Sequence, residues 1–152
     1  FFSQILGYAS TIIPQKIRMT INSITKISTS GNPGIMTINL NPTGSGKVID
    51  KSTTYTVTCN SGSVDTLKIT GQITNGGDMP QNTSLTINLS SNEGNSEGEV
   101  ALVSSTNVDL VTDLPSILLD SGAISYAFNV TNGWSTPSQT ITRAVTLTLM
   151  TE

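Results

Sequence analysis

The chain has 152 residues, of which 36% are hydrophobic, 5% aromatic and only 11% charged, with a net charge of −3. That length suits one domain with its own core, and the five lysines and two arginines form no cluster, which excludes nucleic-acid binding and a basic membrane-surface helix. Histidine is absent, so Ser-His-Asp and Cys-His arrangements and histidine-based metal sites are excluded; the chain reads as a non-enzyme with no implied cofactor.

Polarity is carried by Thr, Ser and Asn instead of charge, which suits exposed strand faces and an extracellular setting. The chain begins at Phe1 without an initiator Met and contains no run of 18 apolar residues. A cleaved signal peptide is expected, with Gly7-Tyr8-Ala9 resembling the small-residue end of a cleavage site, and the mature chain is expected to have no membrane span.

Residues 1–13 stand apart. They hold Phe1, Phe2, Ile5, Leu6, Tyr8, Ile12 and Ile13 and no charge, and Pro14 separates them from the first alternating segment, at Ile17. Sheltering several such side chains is worth several kcal/mol at about 25 cal/mol per Å2. Three readings are open from the residues: a strand of the chain's own sandwich, a donor strand that fills a groove in the next subunit, or a short helix, since Phe1, Ile5, Tyr8 and Ile12 also have helical spacing. Gly7 and Thr11-Ile12-Ile13 favour strand over helix, and Pro14 suits a hinge.

Alternation of apolar and polar residues then marks strands at Ile17–Ile21, Met36–Leu40, Tyr55–Cys59, Leu67–Ile73, Leu85–Leu89, Ile124–Val130 and Val145–Leu149. Turn signals punctuate them at Gly31-Asn32-Pro33-Gly34, Pro42-Thr43-Gly44-Ser45-Gly46, Asn60-Ser61-Gly62 and Asn75-Gly76-Gly77-Asp78. Gly44-Ser45-Gly46-Lys47 lacks the spacing of a phosphate-binding loop and reads as part of a turn. The stretch Asn107–Leu119 spaces Val108, Val111, Leu114 and Leu118 more like a helix; Pro115 limits it to a short turn of helix. Asn92–Glu99 carries oxygen groups of the kind calcium takes, yet lacks the Asp-rich spacing of a calcium loop and reads as a solvated hairpin tip. The single Cys59 has no internal disulfide partner and reads as a small buried residue. Trp134 stands alone, so no aromatic platform for carbohydrate is visible. Sequons at Asn82, Asn88 and Asn129 are candidate N-glycosylation sites.

Seven or more short strands with such turns imply a two-sheet sandwich. From Gly34 onward the chain resembles the TasA/camelysin-like family of biofilm fibre subunits and the related archaeal bundling pilins. The resemblance lies in Ile35-Met36-Thr37-Ile38-Asn39-Leu40-Asn41-Pro42-Thr43-Gly44, in Ser52 through Ser63 (STTYTVTCNSGS), and in the closing strand Ala144 through Met150. It is also similar in style to archaeal thread filament subunits and chaperone-usher pilins. The resemblance implies that residues 1–13 are a donor strand completing the sheet of a neighbouring subunit.

The expectation is therefore all-β: one Ig-like or jelly-roll β-sandwich over residues 15–152, preceded by a donor-strand tail over residues 1–14. Its expected partner is itself, as a head-to-tail homopolymer in a cell-surface filament serving adhesion, cell–cell contact or biofilm. A carbohydrate-binding or adhesin module and a viral jelly-roll coat protein are the alternatives.

Overall fold

The computed structural model describes residues 18, 20, 23–39, 44–60, 62, 65–131 and 140–152. Nine strands are formed among them and no helix: β1 (Thr25–Ser30), β2 (Gly46–Asn60), β3 (Leu67–Asn75), β4 (Thr83–Leu89), β5 (Asn95–Ser96), β6 (Val100–Ala101), β7 (Val108–Leu114), β8 (Ile117–Val130) and β9 (Ala144–Thr151). They build two antiparallel sheets, one in the order β1-β2-β8-β4-β6 and the other β5-β7-β3-β9. This is the architecture of a β-sandwich. Of the Ile17–Ile21 strand expected from the sequence only Arg18 and Thr20 are described, and neither belongs to a strand; the boundary near residue 14 lies outside the described residues.

Threonine-rich alternation explains the long strands. In β2, Tyr55, Val57 and Cys59 are buried while Thr54 and Thr56 are exposed. The same period places Leu85, Ile87 and Leu89 of β4, and Ile69 and Ile73 of β3, in the core. Residues of both sheets share one apolar cluster, in which Val57, Ile69, Ile87, Leu110 and Ile124 are fully buried. Burial of each such side chain stabilises the fold by about 1.5–3 kcal/mol.

Three expectations are corrected. Asn107–Leu119 forms no helical turn; it supplies β7 and the start of β8. The register of β7 against β3 shifts twice between Leu67 and Thr70. These irregularities break the period of two, so the adjacent residues Leu110 and Val111 are both buried with Leu114, and the resulting spacing imitates a helix. Second, Met36–Asn39 belongs to no strand. Its alternation survives as half-buried Met36 and Ile38, but Ile38 lies against Gly46 and the Gly34 N–H donates to Asp50 Oδ2 at 3.2 Å instead of joining a ladder. Third, Asn92–Glu99 is no hairpin tip: it contains β5 and crosses from one sheet to the other.

One polar cluster sits in the core. The Asp120 carboxyl, 2% exposed, accepts hydrogen bonds from Tyr55 Oη at 3.0 Å, Ser91 Oγ at 2.8 Å and the Asn92 N–H at 3.3 Å. Tyr55 Oη also lies 2.8 Å from the Ser90 carbonyl. Glycine is required at Gly122, because a Cβ there would overlap the Ser90 carbonyl and meet Tyr55 Cε1 at 2.8 Å. The cluster thus fixes the segment after β4 onto β2 and β8, and it meets the requirement that buried polar groups be paired.

Candidate strand-docking groove

The two sides of the sandwich differ. On one side the chain leaves β4, runs through β5 and returns as β6, joining the sheets. There the Glu97 N–H donates to the Leu110 carbonyl at 3.0 Å, Leu102 N–H to the Leu85 carbonyl at 2.9 Å, and Ser96 Oγ to the Leu89 carbonyl at 2.6 Å. The edge strands on that side are two residues long, which leaves little unpaired backbone.

The opposite side is bounded by β1 and β9, which approach each other. Each pairs with a single neighbour among the described strands: β1 with β2 from Thr25↔Cys59 to Ser30↔Thr54, and β9 with β3 from Leu67↔Thr151 to Asn75↔Ala144. Six and eight residues of edge therefore face each other. Between them runs a groove of about 1360 Å3. Its floor is the inner face of the first sheet, with Leu85, Tyr126 and Phe128; its walls are Ile27 and Met36 on one side and Val145 and Leu147 on the other.

Burial follows this asymmetry. Ile69 and Ile73 of β3 are fully buried, whereas Leu149 and Val145, their partners on β9, are half-buried although they point inward. Ile27, the one large apolar residue of β1, is likewise half-buried. Inward apolar side chains along both edges thus retain surface that a further strand would cover.

Among the described residues, two polar atoms on the groove are buried without a hydrogen-bond partner: Thr53 Oγ1 and Arg143 Nε. Thr53 is 2% exposed. It points inward because β2 carries one extra residue against β8, pairing Asp50 with Tyr126 but Thr53 with Ile124. That bulge reverses which residues face the core, and Asp50 secures it by accepting from the Ser52 N–H at 2.9 Å and Ser52 Oγ at 2.6 Å. The Ser52 contacts, ahead of all other causes, hold the Asp50 carboxyl below its ordinary range. Arg143 is fixed at its tip, its Nη1 donating to the Thr142 carbonyl at 2.8 Å and its Nη2 to the Asp78 carbonyl at 2.7 Å.

The tail residues singled out from the sequence, Phe1, Phe2, Ile5, Leu6, Tyr8, Ile12 and Ile13, lie outside the described residues, as does Trp134. Asn82 is exposed at the turn before β4, in the left-handed region at φ 62°, and its carbonyl accepts from the Thr131 N–H at 2.8 Å. Asn88 and Asn129 are half-buried at the outward positions of β4 and β8. The carboxyls of the acidic segment face separate partners: Glu97 accepts from Thr112 Oγ1 at 3.0 Å and Glu99 pairs with Lys47 at 2.9 Å. Among the described residues no three metal-ligating side chains converge, and no helix is long and apolar enough to cross a membrane. Cys59 is buried, with Thr25 Oγ1 3.4 Å from its Sγ.

Sequence reasoning missed the groove. β1, with Ile27 as its only large apolar residue, carries no alternation signal, and the inward turn of Thr53 depends on a bulge that the sequence does not mark. No protein-family model, curated protein or solved structure matches this chain.

Proposed function

We propose that this protein is the structural subunit of an extracellular filament of the pilus or thread kind. Subunits join head to tail, residues 1–13 of one copy entering the β1/β9 groove of the next as an added strand of an Ig-like sandwich. The observation that carries the reading is the groove between two facing strand edges whose inward residues are only half-covered.

The physical fit is direct. An exposed strand edge invites pairing, and an added strand satisfies backbone N–H and C=O groups while its alternate side chains enter the groove. At about 3.3 Å per residue, a 13-residue strand spans roughly 43 Å, against roughly 26 Å for the eight residues of β9. The tail carries no charge and is rich in large apolar residues, which matches an apolar floor. A contact between a tail and a groove at different places on the molecule is heterologous, so it propagates into a filament. Adhesion, cell–cell contact and biofilm formation are the roles such a filament serves.

The test is deletion of residues 1–13, with electron microscopy of the product and circular dichroism to check the fold. A folded chain that forms no filaments, beside full-length protein that does, supports the reading. Filaments formed without the tail overturn it.

A further inference from the structure

An apolar side chain of an incoming strand fits an apolar groove floor at any position along it, so apolar contact alone fixes no unique register. A shift by two residues preserves which side chains face inward and loses little burial. Something in the groove must therefore discriminate between registers if a filament is to be regular. The groove carries such a feature.

Thr53 lines the groove and is 2% exposed, and its buried Oγ1 has no partner among the described residues. An orphaned hydroxyl in an apolar setting is a liability that valine, with the same shape, would avoid. The neighbouring Thr54 and Thr56 face outward and have no such conflict. Arg143 Nε is a second orphan on the same groove. It can only donate, so it requires an oxygen, while Thr53 Oγ1 can donate or accept.

Resting on the strand-docking reading above, we infer that Thr53 Oγ1 and Arg143 Nε set the register of the incoming strand. Thr53 takes a hydrogen-bonding side chain of residues 1–13 of the neighbouring copy, and Arg143 takes an oxygen of the same segment. In the correct register both orphans are satisfied. In a shifted register an apolar side chain faces Thr53 and both groups stay unpaired, as they are in the monomer, so only the correct register gains the two hydrogen bonds. A lone buried Asn fixes the register of coiled coils by the same logic.

The experiment compares full-length wild type with Thr53→Val and Thr53→Ser. It measures the critical concentration for filament assembly and, below that concentration, the thermal stability of the monomer. Thr53→Val should melt at or above the wild-type temperature, because the hydroxyl has no bond in the monomer to lose. Its critical concentration should rise about tenfold, the effect of one lost buried hydrogen bond, and its filaments should lose regular subunit spacing. Thr53→Ser, which keeps the hydroxyl, should restore assembly. Replacing Ser3, Gln4, Tyr8, Ser10 and Thr11 in turn by apolar residues of similar size, in both backgrounds, should identify one position whose loss is not additive with Thr53→Val. Unchanged assembly of Thr53→Val overturns the register role and leaves the groove reading standing. A monomer destabilised in proportion to its assembly defect also overturns it, because the hydroxyl would then serve the fold. Wild-type protein that forms no filament overturns the groove reading itself.

Discussion

At the scale of single residues, the burden of polarity in this core falls on very few groups. Asp120, Tyr55 and Ser91 meet where β2, β8 and the segment after β4 converge, and each supplies what the others need. Replacing Asp120 by Ala leaves the Ser91 hydroxyl and the Asn92 N–H short of an acceptor, while the Tyr55 hydroxyl keeps the Ser90 carbonyl. That change should cost about 3 kcal/mol of unfolding free energy. Tyr55→Phe removes one hydroxyl while Ser91 and Asn92 keep the carboxyl paired, and should cost about 1 kcal/mol. Urea denaturation of the two variants checks the order; equal losses would show that the Ser91 and Asn92 bonds contribute nothing. Thr53 belongs to the same scale and has the opposite character, a buried hydroxyl without a partner among the described residues.

At the scale of strands, the contrast is between the joined and the grooved side of the sandwich. The crossing through β5 and β6 secures β4 to β7 with backbone bonds, whereas β1 and β9 each lean on one described neighbour. Inward residues of β9 should therefore matter less to the fold than their partners on β3. Ile73→Ala should cost about 3 kcal/mol and Val145→Ala about 1 kcal/mol, measured by chemical denaturation. Val145→Lys takes the comparison to assembly. A half-buried edge position tolerates a long cation that reaches water, so the monomer should stay folded, while a charge on the groove wall should abolish filaments. A Val145→Lys chain that is folded and still assembles would remove β9 from the contact.

At the scale of the whole molecule, the response to pH derives from composition and burial together. There is no histidine, so no imidazole adds a transition near neutrality. On the alkaline side, burial pushes the phenols of Tyr55 and Tyr126 above their ordinary value of 10.0. A group whose folded pKa is raised stabilises the fold fully below its unfolded pKa and loses that contribution as pH climbs toward the folded value. Stability should thus hold up to about pH 10 and fall above it. Tyrosinate absorbance followed alongside far-ultraviolet circular dichroism checks this. Two tyrosines should ionise together with loss of strand signal, and their ionisation in a folded chain would contradict the burial that raises them.

Much of this molecule is legible in the order of its residues. The strict period of two in Tyr55–Cys59, Leu85–Leu89 and Ile124–Val130 dictates strands with one apolar face, because successive side chains of an extended chain point to opposite sides. Low charge, absent histidine and the uncharged stretch at residues 1–13 are read directly from composition. Tertiary structure decided the rest. Met36–Asn39 has the strand pattern but gains no ladder, since pairing depends on which neighbour arrives alongside. Thr25–Ser30 lacks the pattern and becomes β1, because β2 offers it a backbone edge. Val108–Leu114 resembles a helix in spacing and is a strand, because bulges reset the phase of burial. The direction in which Thr53 points is likewise fixed by one extra residue in β2 opposite β8, a property of two strands brought together from distant parts of the chain and of neither one alone.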